Sequence, residues 1–190
     1  MTVLLGVDPG VSGALAWFDG RAIVHIADMP TVAVQRGDGQ RERVNCALLA
    51  DLLRSRPVTE ACVERVSPRP GKKDKDGRTI VHGDTPMTAG YLMQAFGNVE
   101  GVLATLGIAV TFVDPQVWRR GMGVSLPSGA SRTERKEASR LRALELFPGA
   151  AEWFRRKKDS DRAEAALVAA WLAKANDATA GTRFEPRRQA

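Results

Sequence analysis

Residues 3–26 read VLLGVDPGVSGALAWFDGRAIVHI, three short apolar runs separated by turn residues. The first run is rich in β-branched side chains and ends at Asp8-Pro9-Gly10. A second run covers residues 13–18, and Asp19-Gly20 then favours a tight turn into a third run over residues 21–26. The pattern predicts three consecutive antiparallel strands that open a sheet.

Beyond this opening, helical and strand patterns alternate along the chain. The spacing of apolar residues predicts a helix over 45–55, a strand over 60–66, a helix over 87–106, a strand over 108–113, and helices over 131–147 and 161–175. Ser131 followed by Glu134 is typical of a capping box. This order predicts an α/β fold in which helices flank a mixed sheet.

Two segments fall outside this pattern. Residues 67–86 are rich in Pro, Gly, Lys, Asp and Arg, which predicts a long mobile loop. Residues 177–190 are polar and predict a tail. The remainder, residues 1–176, has the size of one domain, and 44% hydrophobic residues are enough for a core without disulfides or structural metals.

The charge balance points to a polyanionic partner. The chain has 28 Lys and Arg against 22 Asp and Glu, and residues 116–158 alone hold eleven basic residues against four acidic ones. This excess favours nucleic acid as the partner. Two cysteines and two histidines exclude a zinc-finger or disulfide framework. Because no apolar run reaches 18 residues, we expect no membrane span. The N-terminal residues lack a signal-peptide pattern, so a cytoplasmic protein is the expectation.

Four carboxylates are candidates for chemistry, although each alone has a simpler explanation. Asp8 follows a buried strand and would cap its own turn, and Glu64 ends another strand beside Arg65. Asp161 and Glu164 lie on one face of the first turn of the last helix, where the helix dipole favours acids.

Together, the four carboxylates indicate one site at an edge of the sheet. Oxygen ligands of this kind suit hard divalent cations, and two Mg²⁺ ions can assist phosphodiester hydrolysis. A carboxyl pair with raised pKa values, as in glycosidases, is the alternative, but the basic balance and the lack of an aromatic platform disfavour it. Asp159 is a further candidate, off the face of Glu164.

Seven motifs follow one another in a characteristic order. They are Gly6-Val-Asp8-Pro-Gly-Val-Ser-Gly-Ala14, Val63-Glu64-Arg65, the glycine-rich helix 87–106, Asp114-Pro-Gln-Val-Trp118-Arg-Arg120, Arg135-Lys136-Glu-Ala-Ser-Arg140, Leu146-Phe-Pro148 and Arg156-Lys-Lys158-Asp-Ser-Asp161-Arg-Ala-Glu164-Ala165. In this order, over about residues 3–175, the chain resembles the RuvC-type Holliday-junction resolvases of the ribonuclease H-like superfamily, especially their chloroplast and phage relatives. It departs from many relatives at Ser160, where they carry His or Asp.

The resemblance implies a ribonuclease H-like five-stranded mixed sheet and a catalytic site on it. The implied metal ligands, for two Mg²⁺ or Mn²⁺ ions, are Asp8, Glu64, Asp161 and Glu164, and Lys136 would contact the scissile phosphate. The candidate DNA-binding residues are Arg119, Arg120, Lys157, Lys158, Lys72 and Lys73. The resemblance also implies a homodimer through helix 87–106, whose glycine strip would otherwise pack inside the monomer.

The expected function is a structure-selective endonuclease that acts on four-way DNA junctions by paired symmetric nicks. Two alternatives stay open at this point. One is another nuclease of the same fold, which cuts RNA–DNA hybrids or flaps. The other is a catalytically inactive module that binds junctions.

Overall fold

The centre of the molecule is a five-stranded sheet whose strands lie side by side in the order Ile23–Asp28, Ala14–Phe18, Leu4–Asp8, Glu60–Glu64 and Ala109–Val113. The computed structural model describes residues 2–37, 39–73, 75–81, 83–127 and 129–180. The strands of the central sheet are β1 (Leu4–Asp8), β2 (Ala14–Phe18), β3 (Ile23–Asp28), β6 (Glu60–Glu64) and β9 (Ala109–Val113).

The sheet is mixed, as predicted. β1, β2 and β3 are consecutive antiparallel strands, whereas β6 and β9 run parallel to β1. Val7 on β1 lies opposite Val63 on β6, so Asp8 and Glu64 leave the sheet at the same edge. The carboxyl ends of neighbouring parallel strands meet there, where sites in α/β folds commonly form.

Helices cover both faces of the sheet. The helices are α1 (Cys46–Ser55), α2 (Pro86–Thr105), α3 (Pro115–Gly121), α4 (Arg132–Leu146) and α5 (Ser160–Ala180). One core joins α1 and α2 to the face that carries Leu5 and Val7. The other core joins α3, α4 and α5 to the opposite face, with Trp118 and Phe154 fully buried.

Helix boundaries follow the sequence signals closely. Ser131 and Glu134 form the predicted capping box at the start of α4. Two 3₁₀ helices, Pro148–Phe154 and Lys157–Asp159, connect α4 to α5. The last helix continues to Ala180. Residues 177–180 are therefore helical, which corrects the prediction that a tail begins at residue 177. Residues 181–190 lie outside the described part of the chain.

Two hairpins stand outside the central sheet. β4 (Thr31–Arg36) pairs with β5 (Gly39–Val44), in a segment without a sequence-based assignment. β7 (Lys72–Lys73) pairs with β8 (Thr79–Val81) inside the predicted loop 67–86. Short strands therefore organise part of a segment for which sequence composition predicts only a loop.

The described helices include none that is long and apolar enough to cross a membrane. The cytoplasmic location stays a prediction from the sequence.

Candidate metal centre

Three carboxylates meet where α5 begins above the end of β1. One carboxylate oxygen from each of Asp8, Asp161 and Glu164 lies within 4.8 Å of the other two. Asp161 and Glu164 are buried, and Asp8 is half-buried. The structure therefore brings three of the four predicted ligands into one cluster.

Close packing of α5 on β1 creates this cluster. A Cβ atom at Gly6 would lie 2.0 Å from the carbonyl oxygen of Ala165 and 2.4 Å from the amide nitrogen of Ala169. Only a glycine allows the helix backbone to approach the strand this closely. The first turn of α5 consequently stands directly over the carboxyl end of β1, and its two acids face Asp8.

Glu64 is held beside the cluster at the end of the neighbouring strand. Trp118 Nε1 donates a hydrogen bond of 2.7 Å to Glu64 Oε2. Arg119 links the fourth carboxylate to the other three, because its Nη2 is 2.9 Å from Glu164 Oε1 and 3.9 Å from Glu64 Oε1. All four predicted ligands thus share one edge of the sheet: three have oxygens within 4.8 Å of one another, and the Arg119 guanidinium group joins Glu64 to Glu164.

Two of these carboxyl groups, Asp8 and Glu64, resist ionisation at this site. Burial raises the pKa of Asp8 well above its usual value, and the charges of Glu164, Glu64 and Asp161 raise it further. Burial and then Glu164 raise the pKa of Glu64 to about 7, although Arg119 and the Trp118 hydrogen bond oppose the change. A divalent cation would remove this repulsion, and an all-oxygen donor set is the kind that hard cations prefer. The residues therefore fit a divalent metal centre.

Helix α4 supplies polar partners to the same carboxylates. Lys136 Nζ forms an ion pair with Asp161 Oδ1. Ser139 Oγ donates a hydrogen bond of 3.1 Å to Glu164 Oε1. Lys136, which the resemblance implies to be catalytic, lies at the cluster. Ser139 has no role in the sequence analysis, since a serine inside a basic helix carries no distinctive signal.

Arg119 lies among the four carboxylate side chains, although the sequence suggests it as a DNA contact. Its guanidinium carbon is 4.6 Å from the ring centroid of Trp118, and 15% of its side chain is exposed. Its Nε is the one buried side-chain nitrogen or oxygen in the described part of the chain without a hydrogen-bond partner. The next residue, Arg120, is exposed. Arg119 is therefore a counter-ion of the carboxylates in this structure.

Geometry separates the two aspartates at the start of α5. Asp159 is buried, but it accepts hydrogen bonds from the Arg156 backbone amide at 2.8 Å and from Arg156 Nη2 at 2.8 Å. The Arg156 hydrogen bond lowers the pKa of Asp159. Asp161, rather than Asp159, joins Asp8 and Glu164.

The predicted DNA-binding residues lie in different surroundings. Lys157 and Lys158 are exposed directly before α5, and Lys157 lines a cleft of about 290 Å³ with Arg132 and Lys136. Lys73 is exposed on β7. The neighbouring Lys72 belongs to the same short strand, but its side chain lies outside the described part of the structure. An ion pair of 2.7 Å between Arg69 and Asp84 closes the base of this hairpin.

Comparisons with known proteins agree with this fold. No protein-family model matches the chain. The chain is similar in structure to Thermus thermophilus RuvC in complex with a Holliday junction substrate, with a TM-score of 0.52 and 15% identity over 92% of this chain and 96% of that one. A second structure of Thermus thermophilus RuvC gives a TM-score of 0.50 at 16% identity over 92% and 97% of the two chains. The fold is that of RuvC, which confirms the predicted ribonuclease H-like class.

A comparison of sequences agrees with the comparison of structures. The chain is 29% identical over 159 residues to the chloroplastic Holliday junction resolvase MOC1 of Chlamydomonas reinhardtii. The match covers 78% of this chain and 17% of the relative, so the chain spans about a sixth of that protein's length. The predicted likeness to RuvC-type resolvases is thus found in both sequence and fold.

Proposed function

We propose that the protein is a structure-selective DNA endonuclease that resolves four-way junctions by paired symmetric nicks. The observation that carries this proposal is the convergence of Asp8, Asp161 and Glu164 within 4.8 Å on a RuvC-like sheet. The likeness to a named Holliday junction resolvase and to RuvC with its junction substrate supports the choice of DNA.

Asp8, Glu64, Asp161 and Glu164 would hold two Mg²⁺ or Mn²⁺ ions. Bound ions supply positive charge to the attacking and leaving oxygens of the phosphodiester. The chain's own residues do the rest: Lys136 orients Asp161 and offers a cation to the scissile phosphate, and Trp118 orients Glu64 through its indole hydrogen bond. Arg119 balances Glu64 and Glu164 and stiffens the wall of the site against Trp118.

Basic residues around the site would bind the phosphates of the junction. Lys157 lines a cleft with Lys136, Lys158 lines one with Asp161, Arg120 follows Arg119 on α3, and Lys72 and Lys73 belong to the outer hairpin. Contacts of this kind select the shape of the nucleic acid rather than its base sequence.

Two sites on a symmetric dimer would produce the two symmetric nicks, and α2 is the proposed contact. Gly90, Gly97 and Gly101 have no described atom within 4 Å of the position that a Cβ would take. This observation disfavours the alternative in which the strip packs inside the monomer. Met93 adds exposed apolar surface to the same helix.

The test is Mg²⁺-dependent cleavage of a labelled immobile four-way junction beside linear duplex, flap and RNA–DNA hybrid. We expect paired symmetric nicks on the junction. Asp8→Asn should reduce cleavage by roughly a thousandfold or more while junction binding is kept, because a ligand is lost and a negative charge near phosphate is removed. Asp51→Asn, at an exposed aspartate on α1, is the matched control and should cleave normally.

Other outcomes would change the assignment in distinct ways. Cleavage of hybrid or flap in place of the junction would keep the metal centre and replace the substrate. Junction binding without cleavage under all metals tested would support the inactive module. Normal cleavage by Asp8→Asn would exclude the cluster as the catalytic site.

A further inference from the structure

The hairpin β4–β5 carries three arginines against the first half of α2. The guanidinium carbon of Arg41 lies 3.3 Å from the ring centroid of Tyr91, and that of Arg36 lies 5.2 Å from it. Arg36 also donates a hydrogen bond to the Tyr91 hydroxyl. Arg43 Nε donates a hydrogen bond of 3.0 Å to Gln94 Oε1. Neutral partners on α2 thus hold all three guanidinium groups in place.

Within the described residues, the positive charges of these arginines are not paired with an acid. Among the ion pairs of the described residues, none involves Arg36, Arg41 or Arg43. Neighbouring like charges repel one another, so an anion is the partner that would stabilise the group. Guanidinium groups suit phosphate in particular, because their planar N–H donors match its oxygens in pairs. Stacking on Tyr91 keeps these donors preorganised.

Two adjoining clefts lead from the arginines to the turn that follows Asp8. The first, of about 480 Å³, lies between the hairpin and α2 and is lined by all three arginines. The second, of about 240 Å³, shares Arg41 and Arg43 with the first. It extends to Gly10, Val11 and Ser12, the turn that directly follows Asp8 on the chain. Its lining also includes Arg132, at the start of α4.

We propose that these clefts hold the sugar–phosphate backbone of the DNA strand as it continues away from the cleavage site. The inference rests on the proposed function, since it assumes that a phosphodiester lies at the carboxylates. A polymer fits better than a small anion, because the basic groups follow one another along a path from Arg132 to Arg36. The hairpin then acts as a binding arm that extends the contact beyond the metal centre.

The experiment measures junction affinity against salt concentration with the full chain, in Ca²⁺ to limit cleavage. Each lost phosphate contact makes the log–log slope shallower by roughly 0.7–0.9 units. The triple variant R36Q/R41Q/R43Q should therefore lose about two to three units. Arg21→Gln, at the β2–β3 turn beyond the other end of β1, removes one exposed charge and should leave the slope unchanged. A triple lysine variant, R36K/R41K/R43K, should keep the slope because the charges remain.

The outcomes separate this inference from the proposed function. If the unmodified protein neither binds nor cleaves the junction, the proposed function fails whatever the hairpin does. If it binds and R36Q/R41Q/R43Q has the same slope as Arg21→Gln, the arginines only fasten the hairpin to α2 and the inference is overturned. A triple lysine variant as shallow as the glutamine variant would overturn it too, since the arginines would then be needed for packing rather than for charge.

Discussion

Helices α2 and α5 have nearly the same length, 20 and 21 residues, and both are rich in small side chains. They differ in what surrounds those side chains. In α5, every residue from 163 to 170 is buried. In α2, Val99 and Leu103 are buried on one side, whereas Gly97 and Gly101 face open space on another.

The difference shows that small residues let another element pack closely on a helix but do not determine which element does so. For α5 the partner is β1 of the same chain, and the contact at Gly6 brings acids of the helix to Asp8. For α2 no described atom fills the space above the glycines. The first contact builds the candidate site, and the second leaves a surface on which the proposed dimer depends.

The largest effect should come from replacing glycine with alanine, once at the contact between β1 and α5 and once on the open face of α2. Gly6→Ala would set a Cβ 2.0 Å from a backbone oxygen of α5, which cannot move without shifting the helix. We expect the free energy of unfolding to fall by about 3 kcal/mol or more. Gly97→Ala meets nothing within the described chain, and alanine favours a helix over glycine by about 1 kcal/mol. Urea unfolding of both variants measures the two changes.

If the free energy of unfolding falls for Gly6→Ala and rises for Gly97→Ala, the contrast between the two helices is confirmed. The unfolding of Gly97→Ala should be measured at a protein concentration low enough to avoid association. Equal destabilisation by both substitutions would mean that α2 also has a close partner inside the chain.

A pH effect of slightly smaller size should appear at the α5 edge only. Because the pKa of Glu64 rises from 4.5 to about 7 on folding, the folded state binds more protons than the unfolded state between these values. The contribution of Glu64 to stability therefore falls as the pH rises from about 4.5 to about 7, by roughly 2–3 kcal/mol in metal-free protein. Denaturant titrations across this range, with chelator present, measure the decline.

Two variants assign that decline to its source. Glu64→Gln should make it smaller, and saturating Mg²⁺ should suppress it in the unmodified protein. Glu100→Gln, at an exposed carboxyl on α2, should leave it as it was. An identical decline in all three proteins without metal would exclude Glu64 as its cause.

Much of the fold could be predicted because its signals are local. The apolar runs that end at Asp8 and Glu64 define two strands, and Ser131 with Glu134 defines the start of α4. The fold class followed from the order of these elements. The hairpin β4–β5 has no clear local signal, because its strands are mostly polar and pack against α2 rather than into the sheet.

The candidate site was predictable as a set of residues but not as an arrangement. Spacing places Asp159 off the face of Glu164, but the hydrogen bonds from Arg156 that hold Asp159 away from the cluster are visible only in the structure. The place of Arg119 between two carboxylates depends on how α3 packs against α5, which no local pattern encodes. Sequence patterns thus identify candidate site residues, and packing decides which of their side chains lie together.

A bulky side chain on the open face of α2 tests the proposed dimer. Gly97→Leu should leave the monomer intact, since a Cβ at this position meets no described atom within 4 Å, but should prevent close approach of a second copy. We expect a dissociation constant for the dimer that is at least about tenfold higher by analytical ultracentrifugation, because packing losses of this kind are of the order of 1–3 kcal/mol. Gly149→Leu, at another exposed glycine with open space, should not change association. Unchanged association of Gly97→Leu would remove α2 from the interface.

The smallest expected effect is a change in the salt dependence of junction binding, which should differ between lysines at the two ends of α5. Lys158 is exposed directly before its first turn, beside the carboxylates, whereas Lys174 lies near its other end and donates a hydrogen bond of 3.0 Å to the Gly121 carbonyl oxygen. If DNA lies across the metal centre, Lys158→Ala should make the salt dependence of junction binding shallower by about one unit of log–log slope. Lys174→Ala removes the same charge from the same helix and should leave the slope unchanged. Equal slopes for both variants would mean that the positive charge before α5 faces solvent in the complex, and that the basic groups of α4 and the β4–β5 hairpin carry the contact instead.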